Sequence, residues 1–245
     1  MDRLIPANRS LIVAADVRPC RCAGLMRSLI SAATHIGAVK LGFSGAYNGL
    51  ADGVDRTRFG LEDWHDGQKV PIIFDPQKGA TDIPDMGQRF AAEVKRARCD
   101  AVILFPFAGP ATQSAWTKYC QDAGLRVIIG AVMTHPQFLV SEGGYIADDA
   151  PLRIFAQACK DGVTDFVVPG SKIAWVTTLR QQLVGELGPD SFDLYAPGLG
   201  KVPGDIRTCA AAAGLRFHAI VGGPIYDAAQ SDRVSVAHTL TEQLE

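Results

Sequence analysis

Residues 70–107 read VPIIFDPQKGATDIPDMGQRFAAEVKRARCDAVILFPF, and their pattern decides the fold. The stretch opens on a short β-branched apolar run, VPIIFD (70–75), and turns through Pro, Gly and Asp. Apolar positions then return every three or four residues in PDMGQRFAAEVKRA, before a second β-branched run, DAVILFPF (100–107). Strand, amphipathic helix and strand in that order make a βαβ unit, the building block of a parallel sheet.

The same alternation extends in both directions. Strand candidates are SLIVAADV (10–17), AVKLGF (38–43), VPIIFD, DAVILFPF, LRVIIGAVM (125–133), DFVVPG (165–170), FDLYAPG (192–198) and FHAIVGG (217–223). Helical patterns such as RCAGLMRSLISAATHI, ATQSAWTKYCQDAG, APLRIFAQACKDG and SKIAWVTTLRQQLVGEL lie between them, and Gly124, Gly162 and Gly214 stand where helix C-caps belong. Eight such units predict a single-domain (β/α)8 TIM barrel over residues 1–245, because closing the sheet removes both edges. An open doubly wound sheet is the competing architecture. The irregular segment 44–69 is expected to be a degenerate second helix, and 134–150 a long loop with a helical turn.

Composition narrows the partners. Hydrophobic residues make up 47% of the 245 and charged ones 20%, enough for a large core and unlike a disordered chain. The net charge is −2 with no basic stripe among aromatics, which argues against nucleic acid. The apolar run LIVAA near the start is too short for a signal segment or a membrane span, so a cytoplasmic protein without membrane contact is expected. Cys20, Cys22, Cys99, Cys120, Cys159 and Cys209 show no CxxC pairing and read as reduced; the CxC at 20–22 has no second pair to complete a zinc site. The five histidines read as isolated residues, with His35 and His238 on helical patterns and His135 next to Thr134.

In a barrel, functional groups gather at the C-terminal ends of the strands. Strand one ends at Asp16 and strand two carries Lys40; strand three ends at Asp75, followed by Lys78 and Asp82. Strand five ends at Thr134 and strand eight at Gly222-Gly223. Two cations alternating with two anions at one mouth cost desolvation, and removing one partner of a buried pair costs about 3–5 kcal/mol. Such a cluster points to chemistry rather than to a solvated turn.

The segments LIVAADV, VKLGF, IIFDPQKGATDIPDMG, AVMTHP, LYAPGLGKVPGD and AIVGGPIYDAA occur in the order and at the strand positions of the orotidine 5′-phosphate decarboxylase family, and most resemble its archaeal-type branch. The resemblance spans about residues 10 to 230. It implies a barrel homodimer that removes CO2 from a nucleotide with no metal and no organic cofactor. It also implies that Asp16 binds ribose, Lys40 pairs with the catalytic acids, Asp75 lies beside the substrate carboxylate and Lys78 donates the proton. Asp82 would reach across the dimer interface and Thr134 address the pyrimidine ring. Pro197, Gly198 and Lys201 in the PGLGK loop, with Gly222 and Gly223, would line the substrate's other end.

Two departures stand out. The family motif D-x-K-x-x-D is lengthened here to D-P-Q-K-G-A-T-D, so strict alternation would send Asp75 and Lys78 to opposite faces unless a bulge at Pro76–Gly79 re-aims the lysine. Where the family has VGRPI, this chain has VGGPI, so Gly223 replaces the phosphate-gripping Arg, and Val202 or a neighbour replaces a Gln. Weaker phosphate binding predicts poor activity on orotidine 5′-phosphate or a different substrate. The competing readings are a superfamily member acting on another acid, sugar-derived and assisted by Mg²⁺ held by Asp16, Asp75 and a neighbouring carboxylate, and an inactive barrel that binds a nucleotide-like metabolite.

Overall fold

A computed structural model of the chain describes residues 3–17, 19–29, 36–42, 70–202 and 205–245. The side chains of residues 19–21, 23, 77 and 78 are outside that description. The expected degenerate helix at 44–69 and His35 fall outside it as well.

The chain closes a parallel barrel in sequence order, β1 (Arg9–Ala14), β2 (Ile36–Leu41), β3 (Ile72–Gly79), β4 (Ala101–Leu104), β5 (Arg126–Gly130), β6 (Asp165–Val167), β7 (Asp193–Pro197) and β8 (Phe217–Val221), with β8 pairing back onto β1. Among the described residues the strands hand over to helices on the outside: α1 (Pro19–Ser28) after β1, α2 (Met86–Arg96) after β3, α3 (Pro110–Asp122) after β4 and α4 (Ala150–Lys160) after β5. Next come α5 (Ile173–Leu187) after β6, α6 (Asp205–Ala213) after β7, and the short α7 (Gly223–Tyr226) followed by α8 (Arg233–Thr241) after β8. The fold is a (β/α)8 TIM barrel, and the open-sheet alternative falls because β1 and β8 are paired. Among the described residues no helix is long and apolar enough to cross a membrane.

Period-two alternation sorts the strand residues into two cores. Ile12 and Ala14, Ala38, Ile73, Ala101 and Ile103, Ile128, Val167, Tyr195 and Ile220 fill the barrel interior. Leu11 and Val13, Val39, Ile72 and Phe74, Val102 and Leu104 face outward against the helices. The helices answer in their own period: α2 buries Gly87, Ala91 and Val94 and places Lys95 and Arg96 in its last turn, where cations suit the helix dipole. Gly124, Gly162 and Gly214 follow their helices with φ of 73°, 76° and 90°, the left-handed C-cap conformation.

Most strands stop earlier than the apolar pattern suggests. The run 100–107 keeps its ladder only over Ala101–Leu104, and 125–133 only over Arg126–Gly130. The apolar residues beyond, among them Phe105, Val132 and Met133, leave the sheet to line a cavity at its mouth. The loop after β5 carries the expected helical turn, a 3-10 turn at Val140–Glu142.

Strand β3 departs in the other direction. Phe74 pairs with Val102 and Gly79 with Leu104, so five steps along β3 match two along β4. Three residues are looped out of the ladder, an odd number that inverts the parity of whatever follows.

Candidate active site

Alternation explains why three charges converge. Ala14, Ala38 and Ile73 face the interior, so the positions two residues on, Asp16, Lys40 and Asp75, fall on the same inward parity in the layer above. The Lys40 ammonium lies 3.2 Å from an Asp16 oxygen and 3.2 Å from an Asp75 oxygen, with 7% of its side chain exposed. A single buried cation bridges two carboxylates. Two anionic partners offset the desolvation that an isolated ammonium would suffer.

These groups line a cavity of about 260 Å³ at the C-terminal end of the barrel. Ile103, Phe105, Val132, Met133 and Val167 give it an apolar floor and wall. Thr134, Pro197, Gly198, Leu199 and Lys201 border it on one side and Ile220, Gly222, Gly223, Pro224 and Tyr226 on another. Charged groups at one end of an apolar concavity make a ligand site. Phe105 reaches the cavity because Gly130 opposite has no side chain: a Cβ there would stand 2.3 Å from the ring. Gly198, at φ 86°, makes the turn after β7 and brings the chain against Thr134, whose Cγ2 would be 2.9 Å from an added Cβ.

Of the residues named from sequence, Asp16, Lys40, Asp75, Thr134, Pro197, Gly198, Lys201, Gly222 and Gly223 all border this cavity. Lys78 belongs to β3 by its backbone, within the looped-out stretch; its side chain is outside the described residues. Asp82 does not border the cavity: it is exposed on the turn before α2, accepting from the Ile83 amide at 2.7 Å, while its carbonyl accepts from Thr112 Oγ1. His135 is exposed and packs edge-on against Phe138 instead of facing the cavity. Among the described residues no cluster of three or more His, Cys, Asp or Glu side chains is arranged to hold a metal ion.

Phe105, Met133, Leu199, Pro224 and Tyr226 were not singled out from the sequence, since nothing in an apolar run marks which of its members lie beyond the last ladder bond. A second omission lies at the opposite end of the barrel. His218, read as isolated, is fully buried with Nδ1 2.8 Å from Ser10 Oγ and Nε2 3.2 Å from Asp193, and its ring lies against Tyr195. Asp193 also pairs with Arg3 at 2.8 Å and Arg216 at 2.7 Å, and Asp165 pairs with Arg126 at 2.6 Å while accepting from the Tyr195 hydroxyl. Burial alone would raise the Asp193 carboxyl, but hydrogen bonds from His218 and Arg3 and the neighbouring positive charge outweigh it and hold it at about 2. Burial dominates at Asp165 and raises its carboxyl, and it raises the enclosed Tyr195 phenol well above its ordinary range.

No family model matches the chain. Among curated proteins it is 31% identical over 162 residues to an orotidine 5′-phosphate decarboxylase of Methanosarcina barkeri (strain Fusaro / DSM 804), an alignment covering 65% of this chain and 66% of that protein. The aligned stretch thus spans just under two thirds of the relative's length. Among solved structures, the orotidine 5′-phosphate decarboxylase of Pyrococcus horikoshii OT3 superposes with a TM-score of 0.72 at 22% identity, covering 96% of this chain and 98% of that one. The orotidine 5′-monophosphate decarboxylase of Methanocaldococcus jannaschii, complexed with the inhibitor BMP, gives a TM-score of 0.73 at 17% identity over 98% and 99% of the two chains.

Proposed function

We propose that the chain is a member of the orotidine 5′-phosphate decarboxylase family, to which its 31%-identical relative and its barrel neighbours point, and that it is a carbon–carbon lyase converting orotidine 5′-phosphate to UMP without metal or organic cofactor. The observation that carries this reading is the Lys40 ammonium held between the Asp16 and Asp75 carboxylates beside an apolar cavity. In the proposed reaction the bond from pyrimidine C6 to its carboxylate breaks, CO2 leaves, and the electron pair remains on C6. Lys78 delivers a proton to that carbon and regains one from water.

Each residue then has a task set by its charge. Lys78 stabilises negative charge where it develops and supplies the proton. Asp75 lies beside the substrate carboxylate and keeps the lysines charged; Asp16 accepts from ribose hydroxyls. Lys40 holds both acids in place, and Thr134 hydrogen-bonds the pyrimidine. Pro197, Gly198, Lys201, Gly222 and Gly223 border the far end of the nucleotide. Asp82, exposed on its turn, reaches a partner subunit's site in a cytoplasmic homodimer that binds neither nucleic acid nor membrane.

The Mg²⁺-assisted alternative needs Asp16 and Asp75 as metal ligands. Both already share one ammonium placed between them, and its positive charge disfavours a dication at the same spot.

The test is release of CO2 from carboxyl-labelled orotidine 5′-phosphate, with loss of the orotate chromophore followed in parallel. Lys78→Ala should lower kcat by at least about a hundredfold, the scale of losing one group that stabilises transition-state charge. No CO2 from the native chain, or full turnover by the folded variant, refutes the reading.

A further inference from the structure

The cavity lining differs in chemistry from strand to strand. The Asp16–Lys40–Asp75 array follows β1, β2 and β3, while Gly222, Gly223, Pro224 and Tyr226 form the end that follows β8, and Lys201 belongs to the lining after β7. Among the described residues the lining carries two cations, Lys40 and Lys201. Lys40 is committed to two carboxylates, whereas Lys201 is exposed. A phosphate dianion is held well by a planar guanidinium or by several charge-assisted donors together, and poorly by one solvated ammonium.

The glycine at this end reveals what a ligand would meet. A Cβ built on Gly223 would lie 3.5 Å from Asp227 Oδ2 and 4.0 Å from the Tyr226 hydroxyl. Tyr226, whose hydroxyl both donates and accepts, lines the cavity, and the acceptor-only carboxylate of Asp227 lies just behind Gly223, within reach of a group seated on that glycine. Pro224 contributes no N–H to an anion there. A carboxylate repels a phosphate dianion but accepts a hydrogen bond from an alcohol.

We propose that this end of the cavity receives a neutral, hydroxyl-bearing terminus, with Asp227 and Tyr226 as the groups that recognise it. Resting on the decarboxylase reading above, the inference deepens it: the substrate class includes the nucleoside orotidine, and the 5′-phosphate contributes little to transition-state binding. Gly223, Tyr226 and Asp227 are then specificity-determining residues.

The experiment measures kcat/KM for orotidine 5′-phosphate and for orotidine on the same preparation. The expected preference for the nucleotide is within about a hundredfold; a larger one overturns the proposal, because phosphate would then supply the remote binding energy. Gly223→Arg should raise the nucleotide preference about tenfold or more, since the added Cβ meets only ordinary contact distances and the guanidinium is a phosphate donor. An unchanged preference in the folded variant overturns it.

Should Gly223→Arg fail to fold, the exposed Asp227→Asn serves. Removing a repelling charge should move the preference several-fold toward the nucleotide, and no movement overturns the proposal. If neither compound releases CO2, titration with uridine and with UMP still decides. Similar dissociation constants would uphold the inference while the decarboxylase reading falls; UMP binding over a hundredfold tighter, or neither compound binding, overturns the inference itself.

Discussion

Asp193→Asn tests whether the buried network at the N-terminal end of the barrel stabilises the fold. The Asp193 side chain is 2% exposed and meets Arg3, Arg216 and His218. Its carboxyl is lowered from the ordinary 3.8 to about 2, a difference that corresponds to roughly 2 kcal/mol of pH-dependent stability. Because the folded value is the lower one, that stability is fully present above about pH 4 and is lost as pH falls toward 2. Asparagine keeps an acceptor but leaves two guanidinium groups without their counter-charge, so the variant should be less stable by about 3 kcal/mol at pH 7, the lower end for breaking a buried pair. Urea denaturation of both proteins at pH 7, 4 and 3 is the assay. The gap between them should narrow toward low pH as the native carboxylate is protonated. A gap below about 0.5 kcal/mol at neutral pH, or one independent of pH, refutes the electrostatic account.

Three further outcomes are expected. Lys40→Met removes the cation between Asp16 and Asp75 and should cost at least about a hundredfold in kcat, with binding of UMP weakened less; equal losses in both would assign Lys40 to uniform binding. In the proposed shared-site homodimer, Lys78→Ala and Asp82→Asn, each expected to be inactive alone, should recover about a quarter of native activity when mixed and re-equilibrated in equal amounts, because half the dimers would be hybrid and each would have one intact site. A monomer by sedimentation, or no recovery, would remove Asp82 from the reaction. Gly130→Ala places a methyl group against the Phe105 ring and should destabilise by about 1–3 kcal/mol while raising KM as the ring is pushed into the cavity; a native melting temperature and KM would show that the ring yields freely.

The barrel was legible because parallel strands covered by helices read as apolar runs, and eight of them separated by helical periods admit little else. The strands' C-terminal limits were not. Parity puts Phe105 on the inward face with Ala101 and Ile103, yet it is as apolar as Ile103, and no local property shows that the strand ends before it and leaves its ring at the cavity. Asp16, Lys40 and Asp75 could be found because charge is conspicuous at the end of an apolar strand and parity fixes its face. His218 could not, since its partners lie 208 residues before it, at Ser10, and 25 before it, at Asp193. Asp227 escaped for the opposite reason: among ordinary surface acids, only its position beside Gly223 distinguishes it.

The looped-out stretch of β3 shows how a barrel strand tolerates lengthening. Slack between Phe74 and Gly79 is absorbed locally, and the hydrogen-bonded positions on either side stay aligned with β4. Residues can thus be added between Asp75 and Lys78 without disturbing the scaffold that carries them. Any signature written with rigid gaps would pass over such a chain; the anchoring strand positions are the more durable mark of kinship.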